Sequence, residues 1–172
     1  MTATTTLLAR AALSFARLRA VDRSRALEHL LGLPEADRRL RFGHGGTATI
    51  ERYIGEMDFD REIVLGAFGP QRLLVALAHV PIRAGVAELG LSVAPGWRRI
   101  GVGLSLADQA LSAACRSGAR LFRFHFAASN DGMHRIARAL ALRVERDGSD
   151  FIAQCALSAG TSKVEGTARE QD

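Results

Sequence analysis

The residues best placed to do chemistry lie in VAPGWRRIGVGLSLADQAL, residues 93–111. An apolar, strand-like run halts at Pro95-Gly96; Arg98, Arg99, Gly101 and Gly103 follow, and a helical apolar pattern begins. The first backbone N–H groups of a helix lack an internal partner, and the helix dipole is positive at that end. Glycine allows an anion close to the backbone and accepts left-handed torsions. The spacing therefore describes an anion site, phosphate above all, with Arg98 and Arg99 as its electrostatic border. It equally describes two glycines that pack a helix tightly onto a sheet. No GxxxxGK[ST] and no GxGxxG is present, which excludes a P-loop and the dinucleotide fingerprint.

Other reactive side chains are scattered. Glu88 stands in the otherwise apolar run VAELGLSV. The five histidines form no ligand set. His79 and His125 fall in strand-like runs and could reach a sheet edge, although a hydrogen-bonded, partly buried histidine is the more ordinary outcome; His29, His44 and His134 read as surface or loop residues. Tyr53, the only tyrosine, sits at helical spacing with Ile50, Ile54 and Met57, where core packing fits. Cys115 and Cys155 are far apart and fit no CxxC pattern, so neither a disulfide framework nor a zinc site is expected, and no metal. RFGHGG (41–46) could be a lid or a plain glycine-rich loop. Arg120, Arg123 and Arg143 read as surface residues.

The elements that must position these residues can be read from periodicity. FARLRAV (15–21) alternates as a strand. Asp22 caps a helical stretch that ends near Gly32 and Pro34. EADRRLRFGHGG (35–46) reads as a charged, then glycine-rich loop, and Thr47 or Thr49 can cap a second helix. Three strands (62–69, 72–82 and 85–93) come next, with links short enough for an antiparallel meander. A helix (101–117), a strand (119–129), a helix (130–142) and a hairpin (143–157) turning at Asp147-Gly148 complete the order. The result is a mixed α/β (α+β) domain with a βαβ-like crossover near residues 85–129. The expected organisation is an N-terminal extension (1–14), one domain (15–157) and a small, polar tail (158–172).

Composition narrows the class. Apolar residues make up 48% of the 172, which excludes a largely disordered chain. The net charge of +5 is carried almost wholly by arginine, with Lys163 the only lysine and no run of five basic residues, so nucleic acid is a minor alternative and no membrane partner is expected. No apolar stretch reaches the roughly 20 residues of a membrane span. A cytoplasmic location is the expectation.

Arg98-Arg99-Ile100-Gly101-Val102-Gly103 resembles the [QR]xxGx[GA] motif of the GCN5-related N-acetyltransferase (GNAT) superfamily. The likeness runs from about residue 15 to 157, and FHFAASNDGM is similar to the fifth strand of that family running into an Asn. The resemblance implies a mostly antiparallel sheet of about seven strands with about four helices, splayed between strands 4 and 5. It implies acetyl-CoA as co-substrate, with backbone N–H groups of Arg99, Ile100, Gly101, Val102 and Gly103 on its pyrophosphate. Leu91, Ser92 and Val93 would line the splayed edge, the Val93 N–H would polarise the thioester, and Asn130 would bond the pantetheine arm.

Direct transfer to an amine needs a neutral nucleophile, and the resemblance makes Glu88 the base, its carboxyl raised by desolvation; a Glu paired with an arginine at the sheet surface is the plain alternative. Tyr53 would flank the acceptor. The family pattern NxxAxxxYxxxGF falls on Asn130, Met133, Ala137, Ala141 and Leu142, so the usual tyrosine acid is absent at Ala137. That departure supports a second reading, a weak or inactive CoA-binding regulatory module. The acceptor, a small-molecule or protein amine, is not spelled out in the sequence; homodimers are common in the family the chain resembles.

Overall fold

A computed structural model describes residues 13–43 and 46–158. Nine strands and five α-helices occur among them: β1 (Ser14–Arg17), α1 (Arg23–Leu31), α2 (Glu35–Phe42), α3 (Thr47–Glu56), β2 (Ile63–Phe68), β3 (Leu74–Val80), β4 (Ile82–Arg83), β5 (Val86–Glu88), β6 (Gly90–Val93), α4 (Val102–Arg116), β7 (Leu121–Ala127), α5 (Asp131–Ala139), β8 (Arg143–Asp147) and β9 (Asp150–Ala156). The strands form two sheets, ordered β1-β2-β3-β6 and β4-β5-β7-β9-β8. Every pairing is antiparallel except β5 with β7.

β3 is buried at all seven positions because it has neighbours on both edges and helices on both faces, which is why LVALAHV reads as nearly continuous apolar sequence. On one face Leu106, Ala107, Ala110 and Ala114 of α4 join Val75, Phe122 and Phe124 in one core. The small side chains let α4 lie close to the sheet. On the other face α1 and α3 bury Ala26, Leu30, Ile50 and Ile54 against Val64 and Leu77. Burial of these side chains stabilises the fold by about 1.5–3 kcal/mol for each large one.

Three expectations change. The segment 35–42 is a helix, not a loop: it has acidic residues in the first turn, Arg39 and Arg41 in the last, and Gly43 as a left-handed cap at φ 76°. The strand expected over 85–93 is two strands, because its first half pairs with β7 and its second with β3. These differences raise four helices to five and, with the two-residue β4, seven strands to nine. The third change concerns capping: Gly46, not Thr47 or Thr49, caps α3. Of the expected extension, 1–14, only Leu13 and Ser14 lie among the described residues; of the tail, 158–172, only Ser158 does. His44 and Gly45, the middle of the lid expectation, also lie outside them.

Candidate functional site

The sheet divides at Leu89. Glu88 is still in register with Arg123 of β7, and the Leu89 N–H donates to the Arg123 carbonyl at 2.8 Å. From Gly90 onward the chain pairs with β3 alone. The Ala94 N–H bonds the Val75 carbonyl at 2.9 Å. Ladder bonds of an antiparallel pair alternate, so the N–H groups of Val93 and Leu91 point away from β3 and into the gap beside β7.

That gap is one wall of a groove of about 690 Å³ lined by Leu91, Ser92, Val93, Arg98, Arg99, Gly101, Val102, Gly103 and Asn130, among others. Its far end is the N-terminus of α4. Gly101 caps that helix in the left-handed region at φ 89°, with no side chain closing it. Arg99, at φ 64°, is exposed and makes no ion pair among the described residues. A Cβ on Gly103 would come within 3.3 Å of Val93 Cγ2, so glycine keeps the helix mouth close to β6. Ile100 does not line the groove; its side chain is buried.

Other expected contacts are committed elsewhere. Arg98 is not a free border for an anion: its Nε donates to the Val93 carbonyl at 3.0 Å and its Nη2 reaches Asp37 Oδ2 at 2.6 Å. The Ser92 side chain turns from the groove to meet His29 Nε2 at 2.9 Å. His29 is therefore no surface residue. It is buried, its Nδ1 lies 3.1 Å from the Leu74 carbonyl, and burial pushes its pKa down to about 4. Asn130 Oδ1 accepts the Met133 N–H at 3.2 Å as the cap of α5, which leaves its amide NH2 for the groove. His125 is exposed in the groove, 3.5 Å from Asp147, whereas His134 is packed between Phe126 and Phe151. Ala137, the position expected to lack a tyrosine donor, is fully buried.

A second, smaller cavity of about 390 Å³ adjoins the groove at Gly90. Glu88 and Tyr53 both line it, with His79, Arg41, Arg83 and Arg123. Glu88 is not desolvated as expected: its side chain is 48% exposed and paired with Arg123 at 3.0 Å. The buried chemistry belongs to a different set. His79 Nε2 lies 2.8 Å from Glu62 Oε2, and Arg83 holds Glu62 Oε1 at 2.5 Å. Burial opposes ionisation of Glu62, but the bonds from His79, Arg83 and the Asp58 N–H outweigh it and hold the carboxyl below its ordinary range. Burial lowers His79, so the imidazole is neutral. An ionised Glu62 takes the Nε2 proton's bond, which makes Nδ1 the acceptor. Tyr53 OH, 2.6 Å from Nδ1, is then the donor, and it accepts in turn from Arg41 Nη2 at 2.6 Å. Burial raises the phenol and keeps it protonated.

Sequence reasoning missed Glu62, Arg41, Arg83 and Arg123. The one signal available was His79, a lone polar residue in an apolar strand. Among the described residues, no group of His, Cys, Asp and Glu is arranged to hold a metal, and no helix is long and apolar enough to cross a membrane.

No protein-family model matches the chain, and no curated protein is similar to it. Solved structures are. The GNAT domain of PAT from S. lividans superposes with a TM-score of 0.68 at 18% identity, over 83% of this chain and 89% of that one. The PaiA N-acetyltransferase of Thermoplasma acidophilum, in complex with coenzyme A, gives 0.63 at 22% identity over 84% and 98%. The spermidine N-acetyltransferase of Vibrio cholerae, with CoA and spermine, gives 0.64 at 15% over 85% and 96%. At these identities the likeness establishes the fold: the chain is folded as GNAT acetyltransferases are.

Proposed function

We propose that this protein is an N-acetyltransferase that moves an acetyl group from acetyl-CoA to an amine by direct attack in a ternary complex. The observation that carries this reading is the junction of two cavities at Gly90, one running to a helix N-terminus that no side chain closes and the other ending on a buried acid–base chain. The groove residues fit the co-substrate. Gly101 and Gly103 clear the mouth of α4, the helix dipole and Arg99 favour a diphosphate, and the amide of Asn130 suits a pantetheine arm. Acetyl-CoA, when bound, would supply the acetyl group as a thioester whose C–S bond gives way to the new C–N bond, the coenzyme departing as its free thiol with a proton from water. The N–H of Val93, and that of Leu91, are placed to polarise a carbonyl drawn into the gap. Residues 15–157 form the proposed catalytic domain.

An ammonium cannot attack, so the acceptor must lose a proton. Glu88 lines the acceptor cavity, but its carboxylate is already held by Arg123 at 3.0 Å. The buried chain is a better base. As the amine proton moves to Tyr53 Oη, the phenol proton moves to His79 Nδ1, and the imidazolium is held at Nε2 by Glu62. Arg83 fixes the other oxygen of Glu62.

Titration calorimetry with acetyl-CoA tests the first half: binding tighter than about 1 mM is expected, and its absence removes the proposal. Thiol release across a panel of amines tests the second. Tyr53→Phe should lower turnover by about 100-fold without changing acetyl-CoA affinity. Should Glu88→Gln do this instead, the base is Glu88. Binding with no turnover on any amine would leave the regulatory module suggested by Ala137.

A further inference from the structure

The charges around the smaller cavity fall into two closed pairs and one open cation. Arg83 is bound to Glu62 and Arg123 to Glu88. Arg41 has no carboxylate partner among the described residues. Its one hydrogen bond there is from Nη2 to the neutral Tyr53 OH at 2.6 Å, and its guanidinium lies over the rings of Phe42 and Tyr53, 5.0 and 5.2 Å from their centroids. Its remaining nitrogens are not sealed: the one buried side-chain nitrogen or oxygen left without a partner among the described residues is Arg38 Nε. Arg41 lines both the cavity and the groove. It can lie there because residue 90 is glycine; a Cβ at that position would collide with the guanidinium.

A guanidinium whose open nitrogens line a cavity, with no carboxylate partner among the described residues, is free to take an anion there, and its planar fork matches a carboxylate. We infer that the acceptor is an amine bearing a carboxylate, and that Arg41 holds that carboxylate where the acceptor cavity opens onto the groove. The inference rests on the acetyl-transfer reading. It also fixes a spacing. Arg41 Nη2 is 2.6 Å from Tyr53 Oη, the first atom of the proton chain, so anion and amine must lie only a few bonds apart, as in an α- or β-amino acid. A polyamine would find every carboxylate of the cavity already paired.

The test compares amino acids with their own carboxamides and with polyamines, by thiol release from acetyl-CoA. An amino acid should exceed its amide in kcat/KM by about 10- to 100-fold, the worth of a charge-assisted hydrogen-bonded pair. Arg41→Gln should bring that ratio close to one. Gly90→Ala, which displaces the guanidinium but retains the arginine, should do the same, and circular dichroism of each variant checks its folding. Polyamines or amides used as well as amino acids overturn the inference while leaving acetyl transfer intact. A ratio that survives both variants, all rates falling together, also overturns it and assigns Arg41 to the reaction itself. Failure of acetyl-CoA to bind is the separate failure of the underlying reading.

Discussion

His29 should make the fold acid-sensitive. The imidazole is 7% exposed, bonded at both nitrogens, and titrates at about 4 in the folded chain against 6.5 when free. The folded state resists the proton, so between pH 6.5 and 4 the unfolded state binds more, and stability falls as pH falls. At about 1.4 kcal/mol per pH unit the gap amounts to about 3 kcal/mol, of which about 2 kcal/mol is lost by pH 5. The assay is urea unfolding at pH 7.5, 6, 5 and 4.5, followed through Trp97, the only tryptophan. Other groups titrate in the same range, notably His79 and Glu62, so the comparison is with His29→Gln. That variant should be less stable at pH 7.5, where it loses the two bonds, and the difference from the parent should shrink by about 2 kcal/mol at pH 5. Parallel curves for the two proteins would refute the reasoning. The cost of the proton is burial and not a lost bond: a protonated ring can donate to the Leu74 carbonyl and to Ser92 Oγ, whose own proton then turns to the Leu77 carbonyl 3.5 Å away.

If His79 is the terminal base, the acid limb of kcat/KM should lie below pH 6.5. Burial, with Arg41 and Arg83, lowers this imidazole, and Glu62, which raises it, does not fully offset them. Glu62→Gln should move the limb lower still, and a limb above 6.5 would exclude His79. Gly101→Ala forces a side chain into the left-handed region at φ 89° and should cost about 1–2 kcal/mol in urea unfolding, with weaker acetyl-CoA binding by calorimetry; an unchanged midpoint and affinity would show that the turn tolerates a Cβ.

The glycine-arginine turn was legible because its signal is local: a strand stops, two glycines follow and an amphipathic helix starts within ten residues. The helix over 35–42 was not, although its acidic start, basic end and glycine cap are all present, because Leu40 and Phe42 offer too little apolar periodicity. The break at Leu89 is invisible in VAELGLSV, since what changes there is the partner strand and not the residue types. The hydrogen-bonded chain of Tyr53, His79 and Glu62 draws on α3, β3 and the turn before β2, with arginines from α2 and β4. No window of sequence contains it. His29 and Arg123 looked like surface residues for the same reason: their partners, Leu74, Ser92 and Glu88, are set by packing.

The gap between β6 and β7 is made of main chain. On the proposed reading its working groups are the peptide N–H bonds of Leu91 and Val93, present whatever side chains those positions carry, together with a helix start that needs little beyond glycine. Such a site places its demands on topology, and topology is what mutation erodes last. A chain can change many of its letters and still keep this opening, while the proposed acceptor side, written in arginine, tyrosine, histidine and glutamate, is free to be rewritten for a different amine.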